Sequence, residues 1–233
     1  MELAKLFKKG GYKLTDAQEA AFLRYYELLD EWNKKFNLTR ITDERDVALK
    51  HFYDSVTGLK YIQNGSNVLD IGSGAGLPAI PIAIMKPDSK VTMVEATGKK
   101  AEFLKVVVNE LKLNANVLNI RIEDCKEKES FDIVTARAVA PMVTLAEYAL
   151  PFVKVGGKFI AYKSINAQLE TEEAERAIDI LGGAVTKTDI FTLPDSDIVR
   201  ALVIVSKIKS TPDGYPRGAG KPKNRPLQNF VKR

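Results

Sequence analysis

The sequence of 233 residues carries one cysteine, Cys125, one histidine, His51, and one tryptophan, Trp32. A single cysteine excludes an internal disulfide, and with one histidine there is no Cys/His cluster to hold zinc. No apolar run reaches membrane-spanning length. The amino terminus lacks a charged-then-apolar signal pattern, since Met1-Glu2-Leu3 runs into Lys5, Lys8 and Lys9 among mixed residues. No repeat or low-complexity block is visible. These absences predict a cytoplasmic protein with no structural metal and no membrane partner.

Charge is present but unevenly spread. The net charge is +5. From Lys207 to Arg233 there are eight basic residues against one acid, Asp213, which leaves a mildly acidic body. A basic tail on such a body predicts a polyanion partner, with a solubilising end as the alternative. Tyr215, Phe230 and four prolines in the same tail favour the first.

The hydrophobic pattern divides the chain into three parts. Residues 1–64 read as a helical cap. Thr15-Asp16 caps a helix with Ala17, Ala21, Phe22, Tyr25, Leu28, Leu29 and Trp32 at helical spacing. Two further helices are expected over Asp43–Leu49 and Asp54–Tyr61. After the turn Gln63-Asn64-Gly65-Ser66, residues 65–208 alternate short strands with helices. Strands are expected at Asn67–Ile71, Lys90–Val94, Val117–Ile122, Phe131–Thr135, Lys158–Tyr162, Val185–Phe191 and Val199–Ile208. Helices are expected at Pro78–Met85, Lys99–Leu111, Pro141–Leu150 and Ala167–Leu181. That alternation implies a doubly wound, Rossmann-like α/β sheet, mostly parallel, with the last strand antiparallel. Residues 209–233 form the basic tail.

Asp70-Ile71-Gly72-Ser73-Gly74-Ala75-Gly76-Leu77-Pro78 is a strand end, a glycine turn and a helix start. Glycines let the backbone turn sharply and let a ligand come close. A dinucleotide is the competing ligand, but its fingerprint is G-x-G-x-x-G and the spacing here is G-x-G-x-G. Asp70 would repel a pyrophosphate, yet it suits the cationic methionine end of S-adenosylmethionine. Glu95, ending the next strand, can accept from both ribose hydroxyls. Ile122 and Glu123 are candidates for the adenine, Ile122 against the ring and Glu123 on the exocyclic amine. Leu77 covers the cofactor from the loop side.

The segment after the fourth strand, Thr135-Ala136-Arg137-Ala138-Val139-Ala140-Pro141, lacks the Asn/Asp-Pro-Pro-aromatic loop used on exocyclic amines. Cys125 lies in the adenine region, poorly placed to attack a pyrimidine, and is read as structural. Arg137 suits guanine N7, an uncharged acceptor that needs positioning rather than a general base. A structural ion pair, or a contact to the cofactor's carboxylate, is the alternative for Arg137. His51 and Trp32 are read as helix-packing residues, and Asp54 as a helix cap or the partner of a cap lysine.

Trp32-Asn33-Lys34-Lys35-Phe36-Asn37-Leu38-Thr39, Lys50-His51-Phe52-Tyr53-Asp54-Ser55, Leu69–Pro81 and Thr135–Ala140 together resemble one family. Tyr162-Lys163, Tyr215-Pro216-Arg217 and Pro226-Leu227 extend the match over nearly the whole chain. The family is the bacterial small-subunit ribosomal RNA guanine-N7 methyltransferases, also called the glucose-inhibited division protein B family. The resemblance implies methylation of one guanine at N7 in the decoding region of 16S rRNA; the expected partner is that RNA or the small subunit, and the chain is expected to act as a monomer. It implies that Gly72, Leu77, Glu95, Ala96, Thr97, Ile122, Glu123 and Arg137 hold S-adenosylmethionine, to which the reading of the glycine turn adds Asp70, Ser73, Gly74 and Gly76. Arg137 and Lys163 become the catalytic candidates and Lys163 and Arg217 the RNA contacts, to which the charge of the tail adds Lys221, Lys223 and Arg225. Ala79, Ser164 and Gly218 depart from the family pattern, standing where glycine, glycine and lysine are common. The rivals are a methyltransferase of a non-RNA substrate and a non-enzymatic RNA-binding assembly factor.

Overall fold

The structure, a computed structural model, describes residues 2–218 and 220–227. Phe230, Lys232 and Arg233, counted above with the basic tail, lie outside the described residues.

Seven strands form one sheet: β1 (Asn67–Ile71), β2 (Lys90–Val94), β3 (Ala115–Leu118), β4 (Phe131–Arg137), β5 (Val153–Lys163), β6 (Gly183–Thr192) and β7 (Val199–Lys207). Their order is β3-β2-β1-β4-β5-β7-β6. The β3-β2-β1-β4-β5 run is parallel, and β7 enters antiparallel between β5 and β6. The central strands read as near-continuous apolar runs because helices cover both faces. Strand order reverses between β1 and β4, so a crevice opens at their carboxyl ends, where doubly wound sheets bind ligands.

Two strands differ from the sequence expectation. β3 stops at Leu118, and Ile122–Asp124 is a 3-10 turn rather than a strand end. The ladder ends because the Asn119 side-chain amide donates to the Glu95 carbonyl at 2.8 Å, where a backbone donor would continue the pairing. β5 begins at Val153, not Lys158, through a register shift opposite Phe131–Ile133. Gly156, at φ +86°, supplies the left-handed residue inside that irregular stretch.

The cap has a short helix, Leu3–Lys9, then the long helix Asp16–Phe36, which opens on a capping box between Thr15 and Gln18. The two helices expected next are one continuous run, residues 44–61, with a π-helical stretch at Val47–Tyr53 in its middle. No glycine or proline interrupts it before Gly58, and Val47, Leu49, His51, Phe52 and Tyr53 all point inward. Phe52 stacks on Tyr25 at 5.1 Å between ring centres and tilts against Phe22 at 5.2 Å. The same apolar cluster continues into the sheet through Val68, Ile80, Phe103 and Ile160, and Trp32 joins it against Phe103. A second cluster fills the opposite face. Among the described residues no helix is long and apolar enough to cross a membrane.

The tail folds back onto the helix Met142–Ala149. Thr211 donates its backbone N–H to Glu129 at 2.8 Å, and Lys128 holds the Tyr215 carbonyl. Arg217 grips the fully buried Glu147 through Nε at 2.8 Å and Nη2 at 2.7 Å. Pro222 is buried, and its carbonyl accepts from Thr144 at 3.2 Å. Removing one partner of a buried ion pair leaves the other charge uncompensated, so Arg217→Ala should lower unfolding stability by about 3 kcal/mol. Limited proteolysis should then cut the variant between residues 209 and 227 faster than the wild type. Unchanged digestion would show that the pair does not hold the tail.

Candidate active site

The glycine turn follows β1 directly. Gly72, Gly74 and Gly76 have φ of +65°, +57° and +96°, a region that favours glycine. Side chains are also excluded by space at two of them. A Cβ on Gly72 would lie 2.9 Å from Val139, and one on Gly76 would lie 2.5 Å from Ile80. Two neighbours hold the turn. The Glu95 carboxylate accepts from the Gly74 N–H at 2.8 Å and the Thr97 N–H at 2.7 Å. From the cap, the Tyr25 hydroxyl donates to the Ala75 carbonyl at 2.5 Å.

Asp70 lies beneath the turn, almost wholly buried. Its Oδ1 accepts from Thr135 on the adjacent strand at 2.7 Å, while Oδ2 is buried with no partner. Burial pushes this carboxyl up to about 6 from 3.8, against the pull of Ser73, Thr135 and Arg137. A buried, half-satisfied carboxylate is costly to a fold and marks a place where a cation is wanted. Ser73 and Leu77 are buried in the turn, and Ala96 and Thr97 are exposed at the carboxyl end of β2. Ile122 is buried and Glu123 half-buried at the end of β3. The structure thus brings the expected loop residues, Glu95–Thr97 and Ile122-Glu123 to one edge of the sheet. Cys125 is buried and free, and burial pushes its thiol up, as suits a structural residue.

Next to the turn, a cavity of about 620 Å³ opens between the cap and the ends of β4, β5 and β7. Val139 belongs to its wall and also packs on Gly72, so cavity and turn share a side chain. Ala138 in the same wall sits at φ +57°, an uncommon conformation for a residue with a Cβ, of the kind that clusters at working sites. Arg137 ends β4 here. Its Nη1 donates to the Lys50 carbonyl at 3.3 Å, to Asp54 Oδ2 at 3.1 Å and to Ser55 Oγ at 3.4 Å. Arg200 Nε reaches the same Asp54 oxygen at 3.4 Å. Asp54 therefore pairs with two arginines, not with a cap lysine. Burial pushes its carboxyl up, and the two guanidiniums pull it back towards ionisation. His51 bonds Thr39 through Nε2 at 2.8 Å, and burial together with Arg137 pushes it down to about 4, so it is neutral at pH 7.

Other expected residues are engaged internally. Lys163 Nζ donates to Glu170 at 2.6 Å and to the Ala140 carbonyl at 2.9 Å, a cation built into the cavity wall. Arg217 holds Glu147, as described. Lys221, Lys223 and Arg225 are exposed on and just after the short helix Lys221–Asn224, beside the helix that begins where Arg137–Pro141 ends. Sequence reasoning missed Tyr25, Thr135, Asn119 and Arg200. Arg200 had a signal, being a charge inside the apolar strand Ile198-Val199-Arg200-Ala201-Leu202. Tyr25 had none beyond its helical spacing.

Comparison with known proteins bears on the family and the fold. A family model described as GidB, rRNA small subunit methyltransferase G, matches residues 18–199. Among similar proteins, the ribosomal RNA small subunit methyltransferase G of Lactobacillus johnsonii is 46% identical over 96% of this chain and 98% of its own. That of Staphylococcus aureus is 45% identical, over 97% of each. A methyltransferase from Pyrococcus furiosus superposes with a TM-score of 0.57 at 19% identity, over 84% of this chain and 100% of its own. M. jannaschii TYW2, solved in complex with AdoMet, gives 0.54 at 16% identity, over 71% and 77%. At those identities the two structures speak for the fold alone.

The strained carboxyl makes a pH prediction. Asp70 stands at about 6 in the folded chain against 3.8, so folding favours its protonated form. The stability it lends is complete below 3.8 and is lost as pH rises through about 6. Asp70→Asn has no such titration and should gain on the wild type between about pH 4 and 7, by roughly 2–3 kcal/mol. Denaturant unfolding at the two pH values checks this, and parallel profiles would refute it.

Proposed function

The chain belongs to the GidB family of rRNA small subunit methyltransferases, and on that premise we propose that it moves a methyl group from S-adenosylmethionine to N7 of one guanine in 16S rRNA. The observation that carries the cofactor reading is the buried, unpartnered Asp70 Oδ2 under a turn whose glycines sit at positive φ, two of them with no room for a Cβ. That oxygen wants a cation, and the methionine amino group of S-adenosylmethionine is one. Bound there, the cofactor supplies a methyl group already activated by its sulfonium.

Each candidate residue then has a chemical task. Asp70 accepts from the amino group, while Gly72, Ser73, Gly74 and Gly76 let the backbone approach and Leu77 covers the ligand. Glu95 keeps lone pairs for ribose hydroxyls beyond the two backbone donors it already holds. Ala96 and Thr97 flank the ribose, Ile122 packs on adenine and Glu123 accepts from its amine. Arg137 borders both the cofactor edge and the cavity, and it orients the acceptor base. N7 carries an in-plane lone pair and needs no base, so alignment supplies most of the rate. The neutral, structural His51 fits that requirement. The target guanine enters the cavity unpaired, as bases do when chemistry is performed on them.

Lys221, Lys223 and Arg225, exposed and without an ion pair among the described residues, would meet RNA phosphates, whereas Lys163 and Arg217 serve by holding the cavity wall and the tail in place. We take the acting unit to be a single copy, and an rRNA substrate supports a cytoplasmic setting.

The deciding experiment is transfer of labelled methyl to small-subunit RNA and particles lacking the modification, followed by nucleoside analysis. Label in 7-methylguanosine at one site is expected, and label in another nucleoside, or none, overturns the reading. Replacing Lys221, Lys223 and Arg225 together by alanine should lower the slope of log affinity against log salt by about 2–3. An unchanged slope would remove the tail from the RNA interface.

A further inference from the structure

Asp54 has an arrangement that pairing alone does not account for. Both arginines converge on one of its oxygens, Oδ2, at 3.1 Å from Arg137 and 3.4 Å from Arg200. The other oxygen, Oδ1, has no hydrogen-bond partner among the described residues, and Asp54 lines the cavity. The guanidiniums are also incompletely used. Among the described residues Arg137 bonds only through Nη1, and Arg200 only through Nε and Nη1, which leaves an Nη2 on each. The cavity wall thus combines a spare carboxylate acceptor with spare guanidinium donors, held by mutual attraction and by the Ser55 and Lys50 contacts.

That pattern complements one nucleobase edge. The Watson–Crick edge of guanine presents an acceptor, O6, next to two donors, N1–H and the 2-amino group. Adenine reverses the order, with a donor at N6, an acceptor at N1 and no 2-amino group, so its N1 lone pair would face the carboxylate. Enzymes that draw a base out of its helix read it on this edge. Holding guanine there leaves N7 free on the other side of O6, towards the turn that shares Val139 with the cavity.

We propose that Asp54 is the guanine-selecting residue, its Oδ1 accepting from N1–H and the 2-amino group while Arg137 and Arg200 fix the carboxylate and donate to O6. This rests on the guanine-N7 reading above. Asp54 is then a direct contact to the acceptor base, and Arg200 both positions it and touches O6.

The test uses small subunits reconstituted with 16S RNA carrying guanosine or inosine at the target position, since inosine lacks only the 2-amino group. With the wild type, kcat/KM should fall about 10- to 100-fold on inosine, the usual loss of a hydrogen bond to a charged partner. In Asp54→Asn the amide oxygen stays on the guanidiniums and the NH2 faces the cavity, so an acceptor becomes a donor. Activity on guanosine should fall, and the inosine penalty should shrink to within about threefold or reverse. Binding of S-adenosylmethionine, measured by calorimetry, reports that the variant is folded.

An inosine penalty in Asp54→Asn equal to that of the wild type would overturn the proposal, leaving Asp54 as an anchor for the arginines. A wild type indifferent to inosine would overturn it without any variant. Failure of the underlying reading looks different: the wild type would make no 7-methylguanosine on the guanosine substrate.

Discussion

One buried carboxylate between two guanidiniums sets the geometry of the cleft. Asp54 lies on the helical run of the cap, while Arg137 ends β4 and Arg200 lies in β7, so three separate segments meet at one oxygen. Around them Arg137 also takes the Lys50 carbonyl, and the Tyr162 hydroxyl takes the Ser55 carbonyl at 2.7 Å. Buried ion pairs of this kind add little net stability over an apolar replacement, because desolvation offsets the attraction. What they do supply is placement. An apolar substitute would let the cap slide over the strand ends, whereas charge fixes it to within hydrogen-bond tolerance and keeps the cavity open beside the glycine turn.

The cofactor edge follows a related logic with the opposite sign. Asp70 is left half satisfied, the glycine turn is confined to positive φ, and Ala138 shares that strained region across the cavity. Each feature lowers the stability of the empty protein, and each gives a ligand something to complete. The cost is borne by the apolar clusters on the two faces of the sheet, which tie cap, strands and helices into a continuous core.

The sheet was legible in the sequence because its signals are local. Runs such as Val68–Ile71 and Val91–Val94 alternate with helical spacing, and the turn glycines fall where a strand meets a helix. The placement of Asp70 and Glu95 at strand ends was legible too. What escaped was set by partners distant in sequence. Lys163 and Arg217 look like free cations in one dimension, yet Glu170 and Glu147 meet them in three. Asp54 looked like a cap residue until β4 and β7 brought arginines to it. The π-helical Val47–Tyr53 erased a break that nothing in its composition required, and Asn119 ended β3 by a side-chain bond that no propensity encodes.

The Tyr25 hydroxyl on the Ala75 carbonyl has a thermodynamic consequence. It ties the middle of the long cap helix to the tip of the glycine turn, and the same ring stacks on Phe52 in the next helical run. Opening of the cap and loosening of the turn are therefore one cooperative event rather than two. A ligand that stabilises the turn must favour the closed cap, and by reciprocity anything that clamps the cap, including a macromolecule pressed against it, must tighten the ligand's binding by the same free energy. The cap helix is thus a coupling element, linking how tightly the small ligand is held to whether the large one has arrived.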